Sequence, residues 1–423
     1  MGARLRVGDR SSQAMNSQVA LSVEPALFPP EEMGGVSLEE VIEAYFDCRR
    51  NKRNTANQLR FEMDYERECI LLWQEINEHH YEPRRSIAFV VEKPVKREIF
   101  AADFRDRVVH HLIVRRMMPL LEAKYHPESY STQKGKGTLY GIQRIEQQLK
   151  ECSYGYTRDC YIMKLDISGF FMSLSKQALY DCIRRFLEPR YPARDLPMLL
   201  YLLRQTIFNR PEKDCVLKMP RSRWKGLPRN KSLFDTDGTH GIPIGNLTSQ
   251  LLALLYLDEL DTLVTGEWDV KHYGRYVDDM VLIHPSKQHL LAVKEKISQW
   301  LETHGLKLHP KKTYVQHYAK GVLFIGGMIL PGRKYMSRRT VGFMHEALEA
   351  CRRLVGDSTD PPQEVKERVR ATLNSYFGML QHYDALRLTN SVIRSLPKEW
   401  FRWMYIVRRG HRCRMVISTK RFD

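Results

Sequence analysis

The chain has 423 residues, enough for two or three packed units, and 43% of them are hydrophobic, so we expect a sizeable core. Lys and Arg outnumber Asp and Glu by 67 to 50, a net charge of +17 that favours a polyanionic partner, either nucleic acid or an anionic membrane surface. The sequence has no apolar run of the roughly 18 residues that a membrane span needs and no signal peptide, so we expect a cytoplasmic protein without a membrane partner.

The first predicted secondary structure follows an irregular N-terminal segment. Residues 1–36 are rich in Gly, Ser, Pro and Arg and lack periodicity, so we predict a disordered or loosely packed N-terminal segment. Ser37-Leu38-Glu39-Glu40 is a capping box, which predicts the start of the first helix. Further helices are predicted at 61–80 and at 103–121, the latter ending near Pro119.

Two short apolar runs at 87–91 and 98–100 predict a β-hairpin with a basic tip. The tip carries Lys93, Lys96 and Arg97. Three cations there suit a triphosphate or a nucleic-acid backbone, because Arg binds phosphate oxygens bidentately and Lys acts as a point charge. Lysines that only keep an edge strand soluble explain the pattern equally well.

Two other basic segments are candidates for contacts with an anionic partner. The loop at 129–138 carries Lys134 and Lys136 between glycines and opens a helix to about residue 152, whose first backbone amides would favour an anion. Residues 211–240 are polar and basic with little periodicity, so we predict a surface insertion.

The predicted strand at 160–165 ends at Asp166. An aspartate in this position usually caps a helix, but Ser175 is the better cap for the next helix, which leaves Asp166 free as a ligand. Further on, Asp258 and Asp261 follow a very apolar helix. We interpret both as surface residues, because acids at a helix C-terminus oppose its dipole.

Adjacent carboxylates occur at Asp278 and Asp279, directly before the apolar run 280–283, which predicts a buried strand. Like charges repel and desolvation opposes ionisation, so such a pair usually accompanies a divalent cation. Neighbouring residues of a straight strand point to opposite faces, and these two would share one site only from a hairpin turn. The alternative is a pair that merely caps a turn.

The order of strand, helices, hairpin, helix and strand is typical of a β-α-β-β-α-β unit in an α+β protein. Its strands lie about 4.8 Å apart, so Asp166 would approach Asp278 and Asp279. Three acids, with eight cysteines that lack any C-x-x-C pair, favour Mg²⁺ or Mn²⁺ over zinc. Two such ions about 4 Å apart support in-line phosphoryl transfer, which predicts nucleotidyl transfer on a nucleic acid.

The C-terminal part is predicted to be helical from residue 336 to the end of the chain. Its tail at 401–423 interleaves arginines with Trp403 and Tyr405, a pattern that fits a single strand or a duplex end.

Several of these stretches resemble motifs of reverse transcriptases. Tyr276-Val277-Asp278-Asp279 resembles the YxDD box, and 164–171 resembles the first catalytic motif. The stretches 308–313 and 324–327 resemble a later palm motif and the primer grip. Segments 93–109 and 129–138 resemble fingers motifs of the bacterial group II intron-like lineage, and the whole resemblance covers about residues 37–385.

This resemblance implies a right-hand polymerase of fingers, ferredoxin-like palm and helical thumb. The fingers would span 37–150, the palm 151–335 with the basic insertion 211–240, and the thumb 336–423 with its basic tail. The chain would make cDNA from an RNA template and dNTPs with two Mg²⁺ ions.

The resemblance also implies residue roles. The catalytic residues would be Asp166, Asp278 and Asp279, which would bind metal together with Ile167. The nucleotide would contact Lys93, Arg97, Phe171 as a steric gate against the 2′-OH, Ile244, Gly245 and Gln250. The primer grip would be Phe324, Gly326 and Gly327, and other nucleic-acid contacts would be Lys134, Lys136, Lys311, Lys312, Arg408 and Arg409.

One departure narrows the resemblance. Most of the lineage has Gln-Gly and Ser-Pro where this chain has Ile244-Gly245 and Ser249-Gln250. This variant, with 231–234 upstream, resembles reverse transcriptases of diversity-generating retroelements. They copy a template-repeat RNA with frequent errors at adenines and work with a small basic accessory protein. A glutamine would hydrogen-bond the incoming nucleotide and Ile244 cannot, so base selection is expected to be loose.

Two other classes of function stay open. One is a defence-associated reverse transcriptase that acts against phage, and the other is a catalytically silent RNA-binding scaffold. The intact Asp166, Asp278 and Asp279 oppose the scaffold. Nothing after the helical C-terminal part resembles an endonuclease or RNase H, which counts against a self-mobile intron protein.

Overall fold

The computed structural model describes residues 34–50 and 54–418. The predictions for most of 1–36 and for 419–423 lie outside the described residues. The helices within the described ranges are α1 (Leu38–Arg49), α2 (Ala56–Glu62), α3 (Tyr65–Asn77), α4 (Phe104–Lys124), α5 (Thr138–Cys152), α6 (Phe170–Ser173), α7 (Lys176–Leu187), α8 (Leu196–Phe208), α9 (Leu247–Tyr256), α10 (Asp258–Thr265), α11 (Lys287–Thr303), α12 (Arg338–Val355), α13 (Gln363–Leu380) and α14 (Leu386–Ser395). None of these described helices is both long and apolar enough to cross a membrane.

The strands form small sheets between these helices. They are β1 (Ser86–Val91), β2 (Arg97–Ala101), β3 (Tyr161–Asp166), β4 (Cys215–Leu217), β5 (His272–Tyr276), β6 (Asp279–His284), β7 (Tyr314–His317), β8 (Val322–Phe324), β9 (Gly327–Leu330), β10 (Arg333–Met336), β11 (Met404–Arg409) and β12 (Arg412–Ile417). The mixture of separate helical and antiparallel parts confirms the predicted α+β class.

The capping box at the start of α1 is confirmed. The Glu40 N–H donates to Ser37 Oγ at 3.1 Å, and the Ser37 N–H donates to the Glu40 carboxylate at 2.9 Å. Two boundaries nearby are wrong. The predicted helix 61–80 is two helices, because Asp64 has φ −146° and breaks the helical course. Helix α4 continues past Pro119, since buried residues before and after it pack into the core.

Four antiparallel strands in the order β5-β6-β3-β7 form what we call the palm sheet. This confirms the predicted β-α-β-β-α-β unit, with α11 between β6 and β7. Alternate residues point to opposite faces. Ile162 and Val281 pack with α5, whereas Met163 and Leu282 belong to the core that contains α11. Both faces of the sheet are therefore covered.

The β1–β2 hairpin, which we call the fingers hairpin, is confirmed, and β4 of the basic insertion pairs in parallel with β1. The insertion was predicted to lie on the surface, and this is wrong in part. Trp224 and Leu233 are buried in a small core with Phe100 of β2. Their apolar surface covers the fingers hairpin and explains why the polar segment stays attached.

Helices α12, α13 and α14 share a separate apolar core. The prediction that the chain is helical to its end is wrong, because β11 and β12 form an antiparallel hairpin, here called the C-terminal hairpin. Buried Met404 and Met415 lie on its inner face, and the Asn374 side chain on α13 bonds both the N–H (2.7 Å) and the carbonyl (2.9 Å) of Met415. Alternating apolar residues on either side of Gly410 are the sequence signal for this hairpin.

Candidate active site

The two adjacent aspartates lie at the tight turn between β5 and β6, as their shared site requires. Tyr276 pairs with Asp279, which leaves Val277 and Asp278 as the turn residues. Val277 has φ 58°, a left-handed conformation that is strained for a β-branched residue. The Ile167 N–H donates to the Asp278 carbonyl at 3.3 Å, so the turn also contacts the loop after β3.

Asp166 is brought next to this turn by strand register. It is the direct partner of Asp279 across β3 and β6, so both side chains leave the same face of the palm sheet. Burial and the negative charge of Asp166 raise the pKa of Asp278 to about 6, against the opposing charges of Lys312 and Arg97. Burial raises the pKa of Asp279 to about 7, although Lys164 opposes the shift.

Lysine ammonium groups contact two of the three carboxylates. Lys312 Nζ lies 2.8 and 3.1 Å from the two carboxylate oxygens of Asp166. Lys164 Nζ lies 3.4 Å from Asp279 Oδ2 and donates to the Leu323 carbonyl at 2.6 Å. These cations partly neutralise a site whose acids would otherwise repel one another.

The residues fit a divalent cation, although no three His, Cys, Asp or Glu side chains in the described ranges already form a metal-binding group. Asp279 Oδ1 is buried without a hydrogen-bond partner in the described structure. An orphaned acceptor beside two further carboxylates is what a hard cation would satisfy. Ile167 is buried and apolar, so only its backbone oxygen could contribute.

The two predicted phosphate-binding cations of the fingers hairpin are separated. Arg97 is exposed at the start of β2, and its positive charge acts on Asp278. Lys93 instead forms an ion pair with Glu346 on α12 and lies 5.2 Å above the Phe343 ring. Lys93 at the hairpin tip therefore contacts α12 rather than the aspartates.

Phe171 and Ile244 come together beside the fingers hairpin, both half-buried against the same small core. The Phe100 N–H donates to the Ile244 carbonyl at 3.1 Å. Gly245 has φ +118°, and a Cβ there would lie 2.8 Å from Ile99, so this crossing requires glycine. Gln250 is exposed on α9 and does not belong to that core.

The predicted primer-grip residues form the β8–β9 turn. Phe324 is fully buried, and Gly326 has φ +91°. A Cβ on Gly327 would lie 2.7 Å from Ile142, so the turn packs closely on α5. The Ser337 N–H donates to the Gly326 carbonyl, which connects the turn to the start of α12.

The remaining predicted nucleic-acid contacts differ in exposure. Lys134 and Lys311 are exposed, whereas Lys136 Nζ donates to the Pro127 carbonyl at 2.6 Å and so ties down its own loop. Arg408 points to the inner side of the C-terminal hairpin and donates to Asn390 Oδ1 at 3.2 Å, whereas Arg409 is on the outer side.

Sequence reasoning missed Glu98, a buried carboxylate on the fingers hairpin. It accepts hydrogen bonds from Trp224 Nε1 (2.7 Å), Ser232 Oγ (2.9 Å) and the Leu233 N–H (2.5 Å), all in the basic insertion. The signal was its alternation with Phe100, which places Glu98 on the inward face of β2. The insertion is thereby fixed beside Phe171 and Ile244.

The predicted exposure of Asp258 and Asp261 is wrong, since both are buried. The apolar helix α9 ends at Tyr256, and the two aspartates lie in the first turn of α10, where acids favour the helix dipole. Asp261 accepts hydrogen bonds from Arg275 Nε (2.7 Å) and Tyr273 OH (2.6 Å). A buried ion pair between residues 14 apart leaves no hydropathy signal.

Two solved telomerase structures align with part of this chain. The structure of apo telomerase from Candida tropicalis aligns with a TM-score of 0.45 and 14% identity over 73% of this chain and 58% of that chain. Telomerase from Candida albicans, solved with the TWJ fragment of telomeric RNA, aligns with a TM-score of 0.44 and 12% identity over 81% of this chain and 61% of that chain. The chain thus spans less than two thirds of the length of these telomerase chains.

Sequence comparison is more specific. Protein YkfC of Escherichia coli (strain K12) is 24% identical over 313 residues, which cover 65% of this chain and 74% of YkfC. Residues 93–329 match the family described as reverse transcriptase (RNA-dependent DNA polymerase). This match covers more than half of the chain. The chain therefore belongs to the reverse transcriptase (RNA-dependent DNA polymerase) family.

Proposed function

We propose that this chain copies an RNA template into cDNA from dNTPs, with Asp166, Asp278 and Asp279 as its catalytic carboxylates. The supporting observation is the cross-strand pairing of Asp166 with Asp279, next to Asp278 in the turn. The division into fingers 37–150, palm 151–335 and thumb 336–423 belongs to the same proposal.

Two divalent cations, Mg²⁺ or Mn²⁺, would be held by the three aspartates and the Ile167 backbone oxygen, and when bound they supply charge neutralisation at the attacking and leaving oxygens. The chain's own residues would do the positioning. Arg97 would bind phosphate oxygens of the dNTP, and Phe171 would pack against the sugar where a 2′-OH would clash. Gln250, exposed on α9, would reach the nucleotide only from the solvent side.

Primer extension tests this proposal. With an RNA template, a DNA primer and Mg²⁺, we expect Asp278→Ala to lose at least about 1,000-fold in rate, because the cations lose a ligand. Asp269→Ala, an acid between α10 and β5, is the matched control. Unchanged extension by Asp278→Ala would refute the assignment.

We further propose that synthesis is error-prone, as in diversity-generating retroelements. Ile244 lies in an apolar core with Phe171 and presents no polar side-chain group to a base. A polar contact that is missing for every base cannot discriminate among them. Sequenced cDNA from Ile244→Gln should contain fewer errors, chiefly at adenines, and an equal error rate would contradict the idea.

The genomic neighbourhood separates this role from its alternatives. A pair of near-repeats that differ at adenines, next to a small basic open reading frame, would support the retroelement and its accessory protein. Their absence would favour a defence-associated reverse transcriptase. An RNA-binding scaffold is opposed by the paired Asp166 and Asp279, which structural RNA binding does not require.

We also propose that the C-terminal hairpin contacts the template RNA. Its register puts Tyr405, Val407, Arg409, Arg412 and Arg414 on the outer face. Tyr405 is 48% exposed, and none of the described carboxylates forms an ion pair with these three arginines. Exposed aromatic and guanidinium groups on one face suit single-stranded RNA, by stacking and phosphate contacts.

A further inference from the structure

A fully buried arginine lies directly beneath the catalytic turn. Arg275 on β5 precedes Asp278 by three residues, and its side chain is 0% exposed. It pairs with Met280 across β6, on the face of the palm sheet opposite to Asp279. Arg275 therefore does not touch the place where substrate would bind.

The guanidinium bonds three separate elements. Nε and Nη2 bind the two carboxylate oxygens of Asp261 on α10 at 2.7 and 2.5 Å. Nη2 also donates to the Leu254 carbonyl on α9 at 3.3 Å. Nη1 donates to the Val277 carbonyl at 3.0 Å. Only a planar group with several donors can make all these bonds at once.

The bond to Val277 matters because of the backbone at that residue. Val277 holds the left-handed φ of 58° that lets Asp278 and Asp279 serve one site. A β-branched residue leaves this conformation unless its surroundings hold it there. Arg275 holds the carbonyl on one side, and Asp261 fixes Arg275 on the other.

We propose that Arg275 is a positioning residue for nucleotidyl transfer, which sets the geometry of the Asp278–Asp279 turn through the Val277 carbonyl. The expected effect of Arg275 on the rate of nucleotidyl transfer rests on the proposed polymerase function. The expected effect of Arg275 on the shape of the cation site does not depend on catalysis.

Arg275→Lys tests the inference, because one ammonium group cannot span Asp261 and the Val277 carbonyl together. We expect kcat to fall about 10- to 100-fold with little change in KM for dNTP, since the carboxylates shift by a fraction of an ångström to 1 Å. Tyr273→Phe is the matched control, because it removes another buried hydrogen bond to Asp261 and leaves Val277 untouched.

A second substitution separates positioning from loss of stability. Glycine adopts positive φ without strain, so Val277→Gly in the Arg275→Lys background should recover kcat at least about threefold. If Arg275→Lys does not fold, Asp261→Asn is used in its place. We then expect the same loss of kcat, and the same recovery of kcat when Val277→Gly is added. A loss of kcat that Val277→Gly leaves unchanged would overturn the inference.

Cation binding gives a readout that does not need catalysis. Mn²⁺ titration followed by electron paramagnetic resonance should show weaker binding, by about fivefold or more, in Arg275→Lys than in wild type and Tyr273→Phe. Equal Mn²⁺ binding and equal kcat would overturn the inference. A wild-type chain that binds Mn²⁺ but never extends a primer would overturn the proposed function and leave the inference about the turn standing.

Discussion

The Asp278–Asp279 turn and the tip of the fingers hairpin are both charged, but they are held in different ways. Beneath the turn, Arg275 and Asp261 form a fully buried pair with two short bonds. At the tip, Lys93 is paired with Glu346, and their side chains are 61% and 58% exposed. The first contact is buried against the palm sheet, and the second joins two separate parts of the chain at the solvent-exposed surface.

The difference in burial between the two ion pairs indicates which contact can break. A buried pair that loses one partner leaves an unpaired charge in the protein interior, so the turn is fixed. An exposed pair contributes only about 0–1 kcal/mol and is screened by salt, so the tip and α12 can separate at little cost. We therefore expect the contact between the hairpin tip and α12 to break more easily than the buried pair beneath the turn.

The largest expected effect of a single substitution on stability comes from breaking the buried pair. Asp261→Ala should lower the free energy of unfolding by about 3–5 kcal/mol, because Arg275 would remain buried without a counter-charge. Glu346→Ala should lower it by at most about 1 kcal/mol. Urea unfolding followed by circular dichroism measures both, and equal losses in the two variants would remove the distinction between the two regions.

The second prediction concerns pH. A carboxyl whose folded pKa is raised contributes stability that is full below its unfolded pKa and is lost as pH rises through the folded pKa. Burial raises the pKa of Asp278 to about 6 and that of Asp279 to about 7. Without divalent metal, the unfolding free energy should therefore fall by several kcal/mol, on the order of 3–7, between pH 4 and pH 8.

The control for this pH effect is a double variant. Asp278→Asn with Asp279→Asn should flatten that part of the profile in EDTA, measured by urea unfolding. Adding Mg²⁺ at pH 8 should restore stability in the wild type only, because the ionised pair then has a counter-charge. A profile that stays equally steep in the double variant would assign the effect to other groups.

The same contrast explains what the sequence could predict. Local patterns sufficed for the palm sheet, since the apolar runs around Asp166 and Asp279 and the need for a turn at Asp278 are encoded within each segment. Ser37 and its capping box are local as well. Motif resemblance then named the polymerase fold, which the family match supports.

Features made by distant contacts could not be predicted. Arg275 and Asp261 are polar, and only the fold shows that both are fully buried. Glu98 is satisfied by residues about 130 positions away, as its 2.9 Å bond to Ser232 shows. The strands of the C-terminal hairpin have a sequence signal around Gly410, but the two bonds of Met415 to Asn374 of α13 do not. In all three cases the partner residues are brought together only by the tertiary fold.

The third prediction extends the comparison to the exposed C-terminal hairpin. Replacing Arg409, Arg412 and Arg414 together by Gln should weaken binding of single-stranded RNA about tenfold and reduce the salt slope by about 2, because up to three phosphates lose their cations. Arg408→Gln, on the inner side, is the control. Fluorescence anisotropy at several salt concentrations measures both, and an unchanged slope in the triple variant would contradict the proposed RNA contact.

The smallest expected effect comes from opening the exposed pair. Glu346→Gln removes the charge that holds Lys93 and should free that ammonium group for a triphosphate, so we expect the KM for dNTP to fall about twofold at low salt.

Glu349→Gln is the matched control, because Glu349 lies one turn further along α12, is similarly exposed and pairs only with Arg352 among the described residues. The effect should vanish at high salt, where the wild-type pair is already screened. Steady-state primer extension measures it, and a KM that rises in Glu346→Gln would mean that the contact helps to build the nucleotide site instead of competing with it.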